Sequence, residues 1–359
     1  MIKAPALTQG DKVAIVSLSS GTLGEDFCKH SLKLGIERLE SFGLVPVLMK
    51  HTLKGIDYVK AHPEHRAADL KAAFSDPEIK GIICAIGGED TFLTWPYLWE
   101  DKEFRTLVQQ NSKIFTGFSD STVNHLLFYK LGMTSYYGPA FLTDLAELGP
   151  EMLPYSLKTF QRFLGINAQA AIDSSPVWYH ERSDFSEQSL GQKRIEEQEK
   201  SGHEWLQGQR EFSGQLLGGC IESLFDLIKG ERDPLEKEIA ERYQIFPTAE
   251  EWRGKIVFLE TSEEKPTPEN LREMLETLKQ AGVFEQAAGL LFGKPQDEVY
   301  YEEYKNVIRE VIVNPNFPVL YNLNFGHAYP RAILPYGVKV RVALDGSKLF
   351  FEETIFSEN

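Results

Sequence analysis

Gly117-Phe118-Ser119-Asp120-Ser121-Thr122 follows a short apolar run and precedes a helical stretch. A serine on such a strand-to-helix turn stands above the sheet end, and the helix start behind it aims backbone N–H groups at developing negative charge. The pattern departs from the hydrolase G-x-S-x-G, because Ser121 stands where the second glycine would be. Local sequence by itself favours a plainer role, helix capping by Ser119, Asp120 or Ser121, since Ser and Asp are preferred N-caps. A second strand-like run ends at Gly87-Gly88-Glu89. Gly88 can bring a bare N–H close to a substrate oxygen, although glycine pairs often serve only as turns. No Gly-Lys-Ser/Thr follows, so the segment is not a Walker loop, and it is not a G-x-G-x-x-G either. Phe258-Leu259-Glu260 puts a carboxylate at a strand end, either simply solvated or able to orient a histidine. Asn324-Phe325-Gly326-His327 puts an imidazole just after another strand end, with Pro330 close behind. A loop histidine is more often structural or exposed, but the flanking Gly and Pro imply a fixed turn, which a general base needs.

Ser119, Glu260 and His327 occur in an order that a catalytic triad can use, since triads are defined by geometry rather than by spacing. Serine needs a neighbouring imidazole to take its proton, and the imidazole needs a carboxylate to fix its tautomer. No metal is expected. His62 and His65 share a helix face, but no acidic or thiol partner cluster completes a site around them.

The elements that must position these residues alternate. Residues 13–18, 44–49, 81–86 and 113–118 read as buried strands, with helical stretches at 25–42, 65–74 and 121–131. That rhythm predicts an α/β fold with a mostly parallel sheet, whose strands read as continuous apolar runs. Residues 171–212 change to a polar, charged composition, and a loop this long is usually functional or a linker. A domain boundary is expected there, giving an N-terminal α/β domain (1–170), a linker and substrate-loop insert (171–212) and a C-terminal α/β domain (213–359). Trp178 and Trp205 sit in the insert, where they either pin it to the body or face substrate as part of a lid. The pattern then restarts. Residues 218–228 read as helical, 255–259, 288–292 and 318–325 as strands, 270–281 and 301–313 as helices, and 338–352 as a hairpin around Asp345-Gly346.

The chain of 359 residues carries 38 Lys plus Arg against 53 Asp plus Glu, a net charge of −15. That acidity argues against broad nucleic-acid binding and against docking on anionic lipid. No apolar stretch reaches the ~18 residues of a membrane helix. The N-terminus lacks the apolar core of a signal peptide. Three scattered cysteines, Cys28, Cys84 and Cys220, fit a reducing compartment better than a disulfide framework, so a cytoplasmic protein is expected.

Taken together, the Gly-Phe-Ser-Asp-Ser-Thr turn, the Phe-Leu-Glu strand end and Asn-Phe-Gly-His resemble the LD-carboxypeptidase family. That family includes muramoyltetrapeptide carboxypeptidases and microcin C self-immunity proteins. The opening at residues 10–16 and the segment at residues 66–74 are also similar. The resemblance covers nearly the whole chain. It implies an N-terminal parallel-sheet domain carrying the nucleophile and a C-terminal α/β domain carrying the Glu and His. Ser119 is then the nucleophile, His327 the base and Glu260 its orienter, with the backbone amides of Gly88 and Asp120 as the oxyanion hole. Gly87, Glu89, Trp178 and Trp205 are the expected substrate contacts. The implied reaction needs no cofactor. It hydrolyses a C-terminal amide of an L,D-muropeptide or, in the immunity branch, an amide joining a peptide or amino acid to a nucleotide. A homodimer is the family habit. The rival from another class is a non-catalytic small-molecule-binding module, which would not need the three side chains to converge. Cys220 departs from the family, which commonly has Gly-Gly-Asn where this chain has Gly218-Gly219-Cys220.

Overall fold

A computed structural model describes residues 1–344 and 346–357. The first sheet forms from β1 (Lys12–Val16), β2 (Val45–Leu48), β3 (Ile79–Cys84), β4 (Ile114–Gly117) and β5 (Tyr136–Tyr137), all parallel. Helices Lys29–Ser41, Pro63–Ser75, Lys102–Gln110 and Ser121–Lys130 connect or flank these strands. β4 is buried along its whole length, the signature of a strand covered on both faces. Local chemistry sets the helix starts. Pro63 opens one helix at a position where its missing N–H costs nothing, and the Asp101 carboxylate accepts the Phe104 N–H at the start of another.

Residues 171–212, expected as a polar loop, carry four short strands. These are β6 (Ile172–Asp173), β7 (Val177–Tyr179), β8 (Glu196–Gln198) and β9 (Glu204–Gln207). β7 and β8 pair as an antiparallel ribbon. β6 and β9 form the two edges of a second sheet. Its centre is β10 (Ser213–Cys220), β11 (Lys255–Glu260), β12 (Gly289–Gly293) and β13 (Val319–Leu323), parallel to one another.

The late chain serves both sheets. β14 (Leu334–Pro335) lies antiparallel to β5 at the edge of the first. β15 (Lys339–Val342) and β16 (Lys348–Phe351) form the expected hairpin beside β10. Its turn residue Asp345 lies outside the described residues.

The helix expected over 218–228 begins only at Ile221, because β10 runs through Gly218, Gly219 and Cys220. A Cβ on Gly218 would stand 1.8 Å from the Phe258 carbonyl oxygen. Gly218 is there to let β10 and β11 approach, and Gly219 lies against Thr122 of the helix Ser121–Lys130; neither breaks a helix. Among the described residues no helix is long and apolar enough to cross a membrane.

Candidate active site

Ser119 follows β4 and precedes the helix Ser121–Lys130, and its φ is +62°. A non-glycine residue held in the left-handed region is strained, and such strain gathers at functional sites. Three hydrogen bonds tie the turn to its surroundings. The Ser119 N–H donates to the Tyr137 hydroxyl at 3.1 Å. The buried Asp120 carboxylate accepts from Ser19 Oγ at 2.6 Å and from the Thr91 N–H at 2.9 Å, which ties the turn to the loops after β1 and β3. Burial raises the Asp120 carboxyl above its ordinary range, against those two donors. Gly87 lies against Ser119. A Cβ built on it would stand 3.0 Å from Ser119 Oγ and 3.5 Å from the Asp120 nitrogen.

Glu260 ends β11 and has no exposed surface. In the parallel register it stands beside Cys220, the last residue of β10. Its Oε1 accepts the Tyr137 hydroxyl. Its Oε2 accepts the His327 backbone N–H at 3.0 Å and faces His327 Nδ1 at 2.8 Å. Gly326 permits this approach. It has φ +83°, and a Cβ there would stand 2.3 Å from the Glu260 carboxyl carbon. The His327 ring meets Phe118 edge-on at 4.9 Å. Arg331 donates to the carbonyls of Gly326 and His327, and its guanidinium is clamped by Asp144 at 3.0 and 3.1 Å.

The other ring nitrogen, Nε2, faces the Glu263 carboxylate at 2.8 Å. Among the described residues neither ring nitrogen hydrogen-bonds the Ser119 hydroxyl. Burial disfavours the imidazolium, but Glu260 and Glu263 outweigh it and push the ring up to about 10. The bond from His327 pulls the Glu263 carboxyl down to about 2, against its own partial burial.

Ser119, His327, Glu263, Gly87 and Gly88 line one cavity of about 510 Å³. Part of its wall comes from the insert, through Glu181, Arg182, Phe185 and Arg194. The two arginines are anchored by Glu147, whose buried carboxylate accepts from Arg182 and from Arg194, the latter at 2.6 Å. The Arg194 guanidinium also lies over the Tyr329 ring at 3.7 Å.

The expected substrate residues divide. Gly87 lines the cavity, whereas the exposed Glu89 does not. Neither tryptophan lines it. Trp178 is buried against His180, with Lys294 Nζ 5.1 Å from its ring. Trp205 packs on Phe212 from β9. Both pin the insert; the aromatic groups on the cavity wall are the buried Phe118 and Tyr329 and the exposed Phe27 and Phe185, the last two 63% and 56% exposed. Sequence reasoning also missed Tyr137 and Glu263.

Among the described residues two groups of side chains lie close enough to share a cation, His62 with Glu64 and His65, and Cys220 with Glu260 and His327. The first corrects the expectation that no acid completes the histidine pair. Glu64, between them in sequence, turns its carboxylate to His62 Nδ1 at 2.9 Å.

Residues 13–138 match the LD-carboxypeptidase N-terminal domain and residues 213–342 the LD-carboxypeptidase C-terminal domain. A probable murein peptide carboxypeptidase of Bacillus subtilis is 24% identical, over 94% of this chain and 90% of its own. The microcin C7 self-immunity protein MccF of Escherichia coli is 24% identical, over 99% of this chain and 97% of its own. A structure of MccF in complex with aspartyl sulfamoyl adenosine superposes with a TM-score of 0.81 at 23% identity, over 99% of this chain and 100% of that one. The crystal structure of an MccF-like protein from Streptococcus pneumoniae in complex with AMP superposes with a TM-score of 0.92 at 47% identity, over 96% of this chain and 99% of that one. With both family domains matched in order along one chain, the protein belongs to the LD-carboxypeptidase family of serine peptidases.

Proposed function

We propose that this peptidase hydrolyses a C-terminal amide bond with Ser119 as nucleophile, His327 as general base and acid, and Glu260 as the carboxylate that orients the imidazole. The observation that carries the reading is the buried Glu260–His327 bond, which fixes the ring at Nδ1 and leaves Nε2 toward the cavity that Ser119 also lines.

Neutral Nε2 takes the Ser119 proton as Oγ bonds to the carbonyl carbon. The carbonyl oxygen becomes an oxyanion in the space over Gly87, where the Asp120 and Gly88 N–H groups are its donors. Preorganised donors of this kind contribute about 3–4 kcal/mol each. The imidazolium then protonates the amide nitrogen, the C–N bond breaks, and the amine leaves. Water, deprotonated by the same imidazole, attacks the acyl ester and regenerates Ser119. Tyr137 supports the arrangement by bonding both the Ser119 backbone and Glu260.

An L,D-peptide of cell-wall type, cut in the course of peptidoglycan recycling, is the first substrate class. A second class has a specific observation in its favour, the AMP held by the 47% identical relative. An amide joining an aminoacyl or peptidyl group to a nucleotide suits a cavity of this volume, with Phe27 and Phe185 on its wall to meet a base. The resemblance supports a homodimer. Three free, buried cysteines support work in a reducing cytoplasm.

Ser119→Ala is the test, assayed on an L,D-tetrapeptide and on an aminoacyl sulfamoyl adenosine. We expect loss of turnover with unchanged circular dichroism. Wild-type turnover by that variant refutes the assignment. The substrate the wild type prefers separates the two classes, and failure to turn over either one, without labelling of Ser119 by a fluorophosphonate, favours a binding module.

A further inference from the structure

We propose that Glu263 gates the base: in the resting enzyme its carboxylate occupies His327 Nε2, and it must swing away before that nitrogen can accept the Ser119 proton. This rests on the Ser119–His327–Glu260 reading above and adds a residue that the reading does not contain.

Glu260 faces Nδ1 and Glu263 faces Nε2, each at 2.8 Å. An imidazole that donates from both nitrogens is an imidazolium and has no lone pair left for a serine proton. The two carboxylates are not equivalent. Glu260 has no exposed surface, holds two other donors, and is packed against Gly293 and Gly326. Its position is fixed. Glu263 sits in the connection between β11 and the helix Pro268–Gln280, and its side chain is 65% exposed. Among the described residues its only side-chain partner is His327. It can leave for water by rotating its own side chain, with no rearrangement of either sheet. Because it also lines the cavity, a carbonyl group arriving at Ser119 enters the space it must vacate.

The charged and titratable groups around the ring come from several elements. Glu260 ends β11 and Cys220 ends β10, with its thiol within 4.8 Å of the Glu260 and His327 ligand atoms. Glu222 lies behind them and bonds Ser262, next to Glu263 in the chain. Tyr137 reaches Glu260 from β5, and Arg331 reaches the His327 carbonyl. Arg232 attracts the Glu263 charge. Of these, Glu263 alone both contacts Nε2 and is largely exposed. The sign follows. Removing its charge removes one of two attractions that hold the proton, so the imidazole titrates lower and is neutral over a wider pH range.

The experiment follows the His327 ring by ¹⁵N-detected NMR titration in Ser119→Ala and in Ser119→Ala/Glu263→Gln, which needs no substrate. It is paired with kcat/KM against pH for wild type, Glu263→Gln and Glu263→Ala on the probe that the wild type cleaves. We expect the midpoint and the acid limb to move down by about 1–3 pH units. Below the wild-type limb kcat/KM should rise about tenfold for each unit moved. An unmoved midpoint, or a loss of activity that is uniform across pH, overturns the gate. Turnover by Ser119→Ala would instead overturn the triad beneath it, and the two failures are read in separate variants.

Discussion

Gly87 leaves open the space where a single methyl group would do most damage. That space is bounded by the Ser119 hydroxyl and the Asp120 nitrogen, and it is where the oxyanion of the proposed mechanism forms. Gly87→Ala puts a methyl carbon there. We expect kcat to fall about 10²–10³-fold, the cost of losing one oxyanion contact, and the thermal midpoint to fall with it, because that carbon would stand 2.8 Å from Ser119 Cβ. Steady-state kinetics beside a thermal scan check this, and wild-type kcat would show that the carbonyl lies elsewhere. At this scale the sequence discloses residues that end strands, because a parallel sheet collects its strand ends in one crevice. Ser119, Glu260 and His327 are of that kind. Tyr137 and Glu263 are not. Tyr137 reaches Glu260 across 123 residues of chain, and nothing local to Tyr136-Tyr137 announces it. Glu263 sits among other acids, Glu260 and Glu264, and only the fold selects which of them meets Nε2.

The insert is an element with its own logic. In its β7–β8 ribbon the apolar side chains, Val177, Trp178 and Tyr179, all lie on β7, and β8 is exposed at every position. What seats the insert over the cavity is a buried ion-pair cluster, with Glu147, Arg182 and Arg194 each less than one-tenth exposed. Removing one partner of a buried pair leaves the other charges uncompensated, which costs about 3–5 kcal/mol. Glu147→Ala is therefore expected to lower the thermal midpoint and to open residues 182–200 to proteolysis before the body unfolds. Limited digestion followed by mass spectrometry reads both, and a protected insert would mean that the tryptophans hold it unaided. The same physics explains why these elements were hard to read. β3 and β4 declare themselves as apolar runs, whereas β8, Glu196-Glu197-Gln198, has no alternation at all. β10 was obscured by Gly218 and Gly219, whose composition reads as a turn and whose role is close approach, Gly218 to β11 and Gly219 to Thr122.

At the scale of the molecule the two sheets are interlocked by the last part of the chain. β14 completes the first sheet against β5, and β15 and β16 complete the second against β10 and β6. Ending the chain at Ile333 bares an edge on each sheet and removes buried Leu334, Val340, Val342 and Leu349. An unpaired buried edge is a template for aggregation. The truncated chain is expected to elute as aggregate or to unfold well below the full chain, and a monodisperse product with native circular dichroism would refute this. The alternating βα pattern made the fold class legible from sequence. The return of β14 to the first sheet was not legible, since Leu334-Pro335 is too short to show a period.

The return of β14 has a temporal side. A ribosome releases the nucleophile's turn early, long before the imidazole and before the strand that closes the nucleophile's own sheet. Under the proposed assignments a nascent polypeptide stays chemically silent until His327 and β14 have followed Ser119 out of the ribosome.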